Sequence, residues 1–189
     1  MYFDFQITSN QPLSVLARSK SLCTWQEALE YVKCLPYGRN KSRSDFSLVL
    51  KEEKGSCSSK HAFLKALANE NKAKDVELIL AIYKMNSDNT NIGDVISSIG
   101  LSYIPEAHCY LKINGERIDI TSKDSSLYKI EKVILSEESI SPEQVVTYKV
   151  EYHKSFLRNW IKNENINSSF EKIWKVREAC ISFLTNSKK

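Results

Sequence analysis

The sequence predicts an α+β fold in which a helix that begins at a cysteine packs on an antiparallel sheet, with further helices at the C-terminal end. Capping boxes led by Thr24 and Ser141 mark helix starts. Asn114-Gly115, the favoured dipeptide of a type I′ hairpin, lies between two segments of alternating residues. The continuous apolar run Val76–Tyr83 indicates a buried strand.

Length and composition are those of one globular domain. The chain has 189 residues, and compact domains usually contain about 100–200. Hydrophobic residues make up 42% and charged residues 26%, which excludes a wholly disordered chain. We expect a core of about residues 24–136, followed by a C-terminal helical extension of about residues 141–186.

Charge and hydropathy argue against nucleic acid and membranes as partners. The net charge of +4 is a weak excess, whereas nucleic-acid-binding domains carry dense basic patches. No apolar run approaches the roughly 18–20 residues that a membrane helix needs. The N-terminus has Asp4 where a secretory signal would be basic and then apolar. Five cysteines without a C-x-x-C pair indicate reduced thiols, so we expect a cytoplasmic protein.

In the first half of the chain, two helices are expected on either side of a polar loop. Thr24 and Glu27 form the capping box of the first helix, which Pro36 ends. After the loop, Ser56 or Ser58 can cap the second helix.

In the second half, strands alternate with shorter helical segments before the C-terminal helices. Asn91 is expected to cap a short helix through Gly100, and Lys129–Leu135 reads as a strand. The last two helices are expected to begin at Ser141 and at Ser168, each the first residue of a capping box.

Cys57 is the cysteine whose position favours chemical reactivity. It follows a Gly-Ser dipeptide at the start of a predicted helix, where unpaired N–H groups and the helix dipole favour a thiolate. The same N–H groups can hold an oxyanion. The alternative is a small buried thiol, which is our expectation for Cys23, Cys34 and Cys180.

The register of the Asn-Gly hairpin places a histidine and a carboxylate on one face. A two-residue turn pairs Ile113 with Glu116 and, further along, Tyr110 with Asp119. His108 then shares a face with both and is a diagonal neighbour of Asp119, at a Cα separation of about 7–8 Å. A carboxylate at that position can fix the tautomer of a histidine and stabilise the imidazolium.

Three short segments carry a resemblance to a known family. They are Gly55-Ser56-Cys57, Ala107-His108-Cys109-Tyr110 and Asp119-Ile120-Thr121. In these residues and their order, the sequence resembles bacterial-type members of the transglutaminase-like superfamily, whose fold is papain-like. The resemblance covers about residues 24–121. It implies that Cys57 is the nucleophile, His108 the general base and acid, and Asp119 the orienting carboxylate.

The sequence departs from the family pattern near two of these residues. Tyr110 stands where tryptophan is commoner, and no aromatic residue directly follows Cys57. The motifs do not assign a second donor for the oxyanion. Gln26 and Asn40, each with a side-chain amide, are candidates for it.

His61 has three possible roles, because it lies four residues after Cys57 on the same helix face. It can be a partly buried residue beside the site, an alternative base, or a metal ligand together with Cys57, His108 and Cys109. Short chelating pairs are missing, so we expect no metal and no cofactor. His153 is expected on the surface of the C-terminal helices.

These observations predict a cysteine-dependent enzyme that acts on an amide or peptide bond. A peptide, a protein or a small amide is the expected substrate, and hydrolysis is preferred over transamidation. The alternative is a binding module that keeps the fold without turnover, since a fold does not dictate an activity.

Overall fold

The computed structural model describes residues 3–186, which form an α+β architecture. Its α-helices are α1 Pro12–Ser19, α2 Trp25–Cys34, α3 Leu48–Lys51, α4 Cys57–Glu70, α5 Tyr148–Asn163 and α6 Phe170–Asn186. Its strands are β1 Val76–Met85, β2 Ile104–Ile113, β3 Glu116–Ile118 and β4 Ile134–Ile140. They form an antiparallel sheet in the order β3-β2-β1-β4. The predicted fold class is therefore confirmed at the level of α+β.

Contacts divide the described chain into two compact units. The first comprises residues 3–80, 109–127 and 138–146, and the second comprises residues 81–108, 128–137 and 147–186. Within the described residues, no helix is both long and apolar enough to cross a membrane.

Helix α4 lies at the centre of the first unit. It contacts α1, α2, α3 and the short 3₁₀ helix Pro142–Val145. Its side chains are buried on more than one face, including Phe63, Leu64 and Leu67. Because helices surround it, the two residues Lys60 and His61 in its second turn are also fully buried.

Helix α2 begins where the capping box predicts. Thr24 accepts a bond from the backbone N–H of Glu27, and the Glu27 carboxylate accepts one from the backbone of Thr24. The helix ends at Cys34, two residues before Pro36.

Helix α1 was not expected from the sequence. Its N-cap, Gln11, makes no side-chain capping bond. Instead, the carboxylate of Glu70 accepts bonds from the backbone N–H groups of Leu13 at 3.0 Å and Ser14 at 2.7 Å. The first turn of α1 is thus capped by a residue from the end of α4.

The hairpin of β2 and β3 has the expected turn and register. Asn114 and Gly115 have φ values of 50° and 85°, the left-handed conformation that a type I′ turn requires. The paired residues are Leu111 with Ile118, Lys112 with Arg117, and Ile113 with Glu116. The ladder ends at Ile118, so the expected pair of Tyr110 with Asp119 is not part of it, and Asp119 lies one residue beyond β3.

The two C-terminal helices begin later than their capping boxes predict. Ser141 opens only the 3₁₀ helix Pro142–Val145, because the chain turns again before α5 begins at Tyr148, and α6 begins at Phe170.

Two other predicted elements are wrong. The segment that begins at Asn91 forms turns and only the 3₁₀ helix Ser97–Ile99, because Gly93 has a left-handed φ of 56° that interrupts a helix. The strand expected at Lys129–Leu135 begins only at Ile134 and is β4. Half-buried and exposed residues alternate along this edge strand, and its central residues Ser136 to Ser139 are all polar, so the sequence shows no apolar pattern there.

The second unit buries a group of charged residues on β2, α5 and α6. Arg177 donates to both carboxylate oxygens of Glu106, with Nε at 2.7 Å from Oε2. Burial alone would raise the pKa of Glu106, but the positive charge of Arg177 holds it below its usual value. His153 was expected on the surface, but its ring is 3% exposed. Its Nε2 donates to the carbonyl of Pro105 at 2.8 Å, and burial lowers its pKa.

Candidate active site

Cys57 is the first residue of α4, at a helix start that two serines define. Ser56 is the N-cap, as one of the two sequence alternatives predicts. The backbone N–H of Ser56 donates to Ser59 Oγ at 2.9 Å, and the backbone N–H of Ser59 donates to Ser56 Oγ at 3.4 Å. The N–H groups of a helix's first turn have no intrahelical acceptor and point towards the helix start, where an anion is favoured.

The five thiols differ in exposure, and none of them forms a disulfide. Cys57 is half-buried, with Sγ at 3.9 Å from Ser58 Oγ. The expectation that Cys23 and Cys34 are buried is wrong, since both are exposed at polar helix ends, whereas Cys180 is buried as expected. Burial raises the pKa of the Cys180 thiol to about 11, and the charge of Glu106 adds to this effect.

His61 is bonded at both ring nitrogens to backbone groups. The N–H of Ile120 donates to Nε2 at 3.0 Å, so Nε2 must carry the lone pair. The proton is therefore on Nδ1, which donates to the carbonyl of Cys57 at 2.6 Å. Asp119 Oδ1 lies 3.6 Å from Nε2, which is a contact with a neutral ring and not an ion pair.

This bonding bears on the role of His61 as an alternative base. A base needs a ring nitrogen that can take up the proton of the thiol, and backbone groups engage both nitrogens here. The residue is also fully buried rather than partly buried. Among the described residues, no group of three or more His, Cys, Asp or Glu side chains is arranged to hold a metal ion.

Asp119 is held in a tight turn directly after β3. Its Oδ1 accepts bonds from the backbone N–H of Thr121 at 2.9 Å and from Thr121 Oγ1 at 2.6 Å. This is the side-chain-to-backbone pattern by which Asp stabilises turns. The Asp119 side chain is only 7% exposed. The carboxylate therefore has a fixed position, as an orienting residue requires.

Lys60 is a component of this region that sequence reasoning missed. It is fully buried, and its Nζ donates to the carbonyls of Leu35 at 2.6 Å and Thr121 at 2.8 Å. Lysine is among the residues least often buried, so its type gave no indication of this position. The one signal in the sequence is Gly55, whose missing side chain leaves the space in which the Lys60 stem lies.

Tyr110 and Arg117 form a pair across the hairpin. Tyr110 is fully buried, and its hydroxyl accepts a bond from Arg117 Nε at 3.3 Å. Tyr110 thus joins β2 to β3 close to the point at which the chain reaches Asp119.

His108 lies on β2, two residues before Tyr110 and therefore on the same face of the strand. Its ring is half-buried and approaches the ring of Tyr83 edge-on, with centroids 6.2 Å apart. Cys57 and Asp119 belong to the first unit and His108 to the second. The structure thus brings the helix turn of Cys57 and the turn of Asp119 together, while the complete triad stays a prediction.

The side-chain amides of the two candidate oxyanion donors form hydrogen bonds to other groups of the first unit. Gln26 Nε2 donates to the carbonyl of Phe3 at 2.6 Å. Asn40 Nδ2 contacts three acceptors, namely the carbonyls of Leu48 and Lys54 and the carboxylate of Glu52. An oxyanion role for either amide stays a prediction.

Comparison of the chain with models of known protein families, with curated proteins and with solved structures finds no match.

The close contact between Gly55 and Lys60 predicts a specific loss of stability. A Cβ at Gly55 would lie 2.7 Å from Lys60 Cγ, which is anchored in the core. We expect Gly55→Ala to lower the free energy of unfolding by about 1–3 kcal/mol, as overpacking of a core does. Chemical denaturation of the variant measures this loss.

Gly38→Ala is the matched control, since Gly38 donates a backbone bond to Gly55. A Cβ there would meet Lys54 Cδ at 3.3 Å, and the Lys54 side chain is 42% exposed and can move away. We expect a change within about 0.5 kcal/mol. Equal stability losses in the two variants would contradict the packing argument.

Proposed function

We propose that this protein is a cysteine-dependent acyl-transfer enzyme of transglutaminase-like type, with a papain-like fold. The observation that carries the proposal is the half-buried thiol of Cys57 at the capped start of a 14-residue helix. The nearly buried carboxylate of Asp119 lies in a turn that is hydrogen-bonded to the same helix through Ile120 and His61. An amide or peptide bond is the expected target, in a peptide, a protein or a small amide.

In the proposed reaction, the Cys57 thiolate attacks the carbonyl carbon of the amide. Backbone N–H groups at the start of α4 stabilise the resulting oxyanion. The C–N bond then breaks, and the imidazolium of His108 gives its proton to the leaving amine, which leaves a thioester on Cys57. Asp119 orients the imidazole and stabilises its charged form.

Water then resolves the thioester. His108 takes up a proton from the water as the water attacks the thioester carbonyl, and the carboxylate product leaves as the thiol is regenerated. Hydrolysis is favoured over transfer to an amine because water is the abundant acceptor around a small protein. We propose a cytoplasmic location, in keeping with five cysteines that form no disulfide.

Competitive alkylation of the cysteines tests this proposal without a known substrate. Under limiting iodoacetamide near neutral pH, peptide mass spectrometry should find Cys57 labelled first. Exposure alone predicts the reverse order, because Cys23 and Cys34 are more exposed than Cys57. Preferential labelling of Cys57 therefore reports thiolate character, which governs cysteine reactivity.

His108→Ala is the informative variant in this experiment. Loss of the imidazole should move the labelling of Cys57 to higher pH, whereas Cys23 in the same sample serves as the internal reference. If Cys23 and Cys34 are labelled first and Cys57 stays unmodified, the nucleophile assignment fails. A binding module with this fold would then be the better account.

A further inference from the structure

We propose that His61 is a positioning residue that fixes the Asp119 turn relative to the helix turn that carries Cys57. The inference rests on the proposed function, since it assigns the position of the orienting carboxylate to a specific buried side chain.

Two hydrogen bonds of the His61 ring link the backbone of Cys57 to the backbone beside Asp119. The His61 ring donates through Nδ1 to the carbonyl of Cys57 at 2.6 Å and accepts through Nε2 from the N–H of Ile120 at 3.0 Å. Ile120 directly follows Asp119. One rigid, fully buried ring therefore connects the backbone of the nucleophile to the backbone beside the carboxylate.

Lys60 holds the same turn through an independent bond. Lys60 Nζ donates to the carbonyl of Thr121 at 2.8 Å. Thr121 in turn donates twice to Asp119 Oδ1. Two consecutive residues of α4 thus bind two consecutive residues of the turn, and Asp119 cannot shift without loss of several bonds.

The two bonds of His61 have different roles and need different groups. The bond to Ile120 needs an acceptor and holds the turn against α4. The bond to Cys57 lies within α4, needs a donor and sets the orientation of the ring. Neutral histidine supplies one of each. The side-chain amide of asparagine can occupy the position of Nδ1, and that of glutamine can occupy the position of Nε2. The two variants therefore test the bond to Cys57 and the bond to Ile120 separately.

The test compares His61→Gln with His61→Asn. Glutamine can keep the bond to Ile120, but it cannot act as a base. Asparagine can keep the bond to Cys57 and leaves the Ile120 N–H without its acceptor. Hydrogen exchange of the peptide that contains Ile120 measures the protection of its N–H, and so whether the bond to residue 61 is kept. The rate at which iodoacetamide labels Cys57 near neutral pH, relative to Cys23, measures the reactivity of the candidate nucleophile.

We expect the glutamine variant to keep both the protection of Ile120 and the preferential labelling of Cys57. The asparagine variant should exchange faster at Ile120 and lose at least about fivefold in labelling ratio, as expected when a buried group loses its partner. A displaced Asp119 no longer orients His108, and the thiolate population at Cys57 then falls.

Equal labelling in the wild type and both variants would overturn the positioning role. Equal losses in both variants would also overturn it, because the imidazole itself would then be required. If the asparagine variant does not fold, the glutamine variant decides alone: loss of the preferential Cys57 labelling while Ile120 stays protected would contradict the proposal.

Failure of the proposed function has a different signature. In that case wild-type Cys57 is labelled no faster than Cys23, whatever residue stands at position 61. The positioning role for this reaction then fails with it, although exchange at Ile120 still distinguishes the two variants.

Discussion

Cys57→Ala and His108→Ala should each reduce the hydrolysis of p-nitrophenyl acetate to the rate of the uncatalysed reaction. The thiolate is the group that attacks, and a general base alone contributes about 10²–10⁴-fold. Because nucleophile and base act as a unit, the double variant should lose little more than either single variant. Steady-state release of p-nitrophenolate measures all three.

Two further variants make this comparison specific. Asp119→Asn should lose less than either alanine variant, because it removes orientation and charge support but leaves the reacting groups. Cys23→Ala should keep full activity, since this exposed thiol has no part in the proposed reaction. Full activity in Cys57→Ala, with the fold verified by circular dichroism, would end the enzyme interpretation.

Arg177→Met should destabilise the second unit by about 3–5 kcal/mol, the usual cost of breaking a buried ion pair. Arg177 holds both oxygens of Glu106, whose side chain is 6% exposed. The variant leaves that carboxylate buried without its main counter-charge. The loss is measured as the change in the free energy of unfolding in urea.

The surface pair of Lys154 and Glu151 on α5 is the matched control. Its two side chains are 30% and 60% exposed, so water screens the pair. Lys154→Ala should change the free energy of unfolding by no more than about 1 kcal/mol. If Arg177→Met costs no more than this control, the buried pair does not stabilise the unit.

The parts of the fold that the sequence predicts are those with local causes. An Asn-Gly turn requires two left-handed residues, and that requirement alone sets the register of β2 and β3. The capping boxes of α2 and α4 likewise lie within four consecutive residues. In each case the interacting groups are neighbours in the chain, so their pattern is readable before the fold is known.

The parts that were missed depend on distant residues. Helix α1 is capped by Glu70, more than fifty residues away in the chain. His153 has the sequence context of a surface residue, but its ring is buried and donates to the carbonyl of Pro105, 48 residues away in the chain. Lys60 is buried against two carbonyls from separate segments. No local pattern contains these partners.

The candidate site shows the same division. Cys57 was predicted at a helix start because its cap, Ser56, is its neighbour. The turn of Asp119 is held through two bonds, one between His61 and Ile120 and one between Lys60 and Thr121. Both bonds depend on the packing of α4 against the turn, which no local pattern predicts. Spacing placed His61 on the face of Cys57 but did not show which groups its nitrogens bind.

The central claim is that Cys57 accepts an acyl group and passes it to water. Rapid quenching of the wild-type protein with p-nitrophenyl acetate, followed by peptide mass spectrometry, tests it most directly. The account predicts an acetyl thioester on Cys57 that forms with the release of p-nitrophenolate and then disappears as acetate is released and turnover continues. An acetyl group found on Cys23 and Cys34 but not on Cys57, or one that stays on Cys57 without turnover, would contradict it.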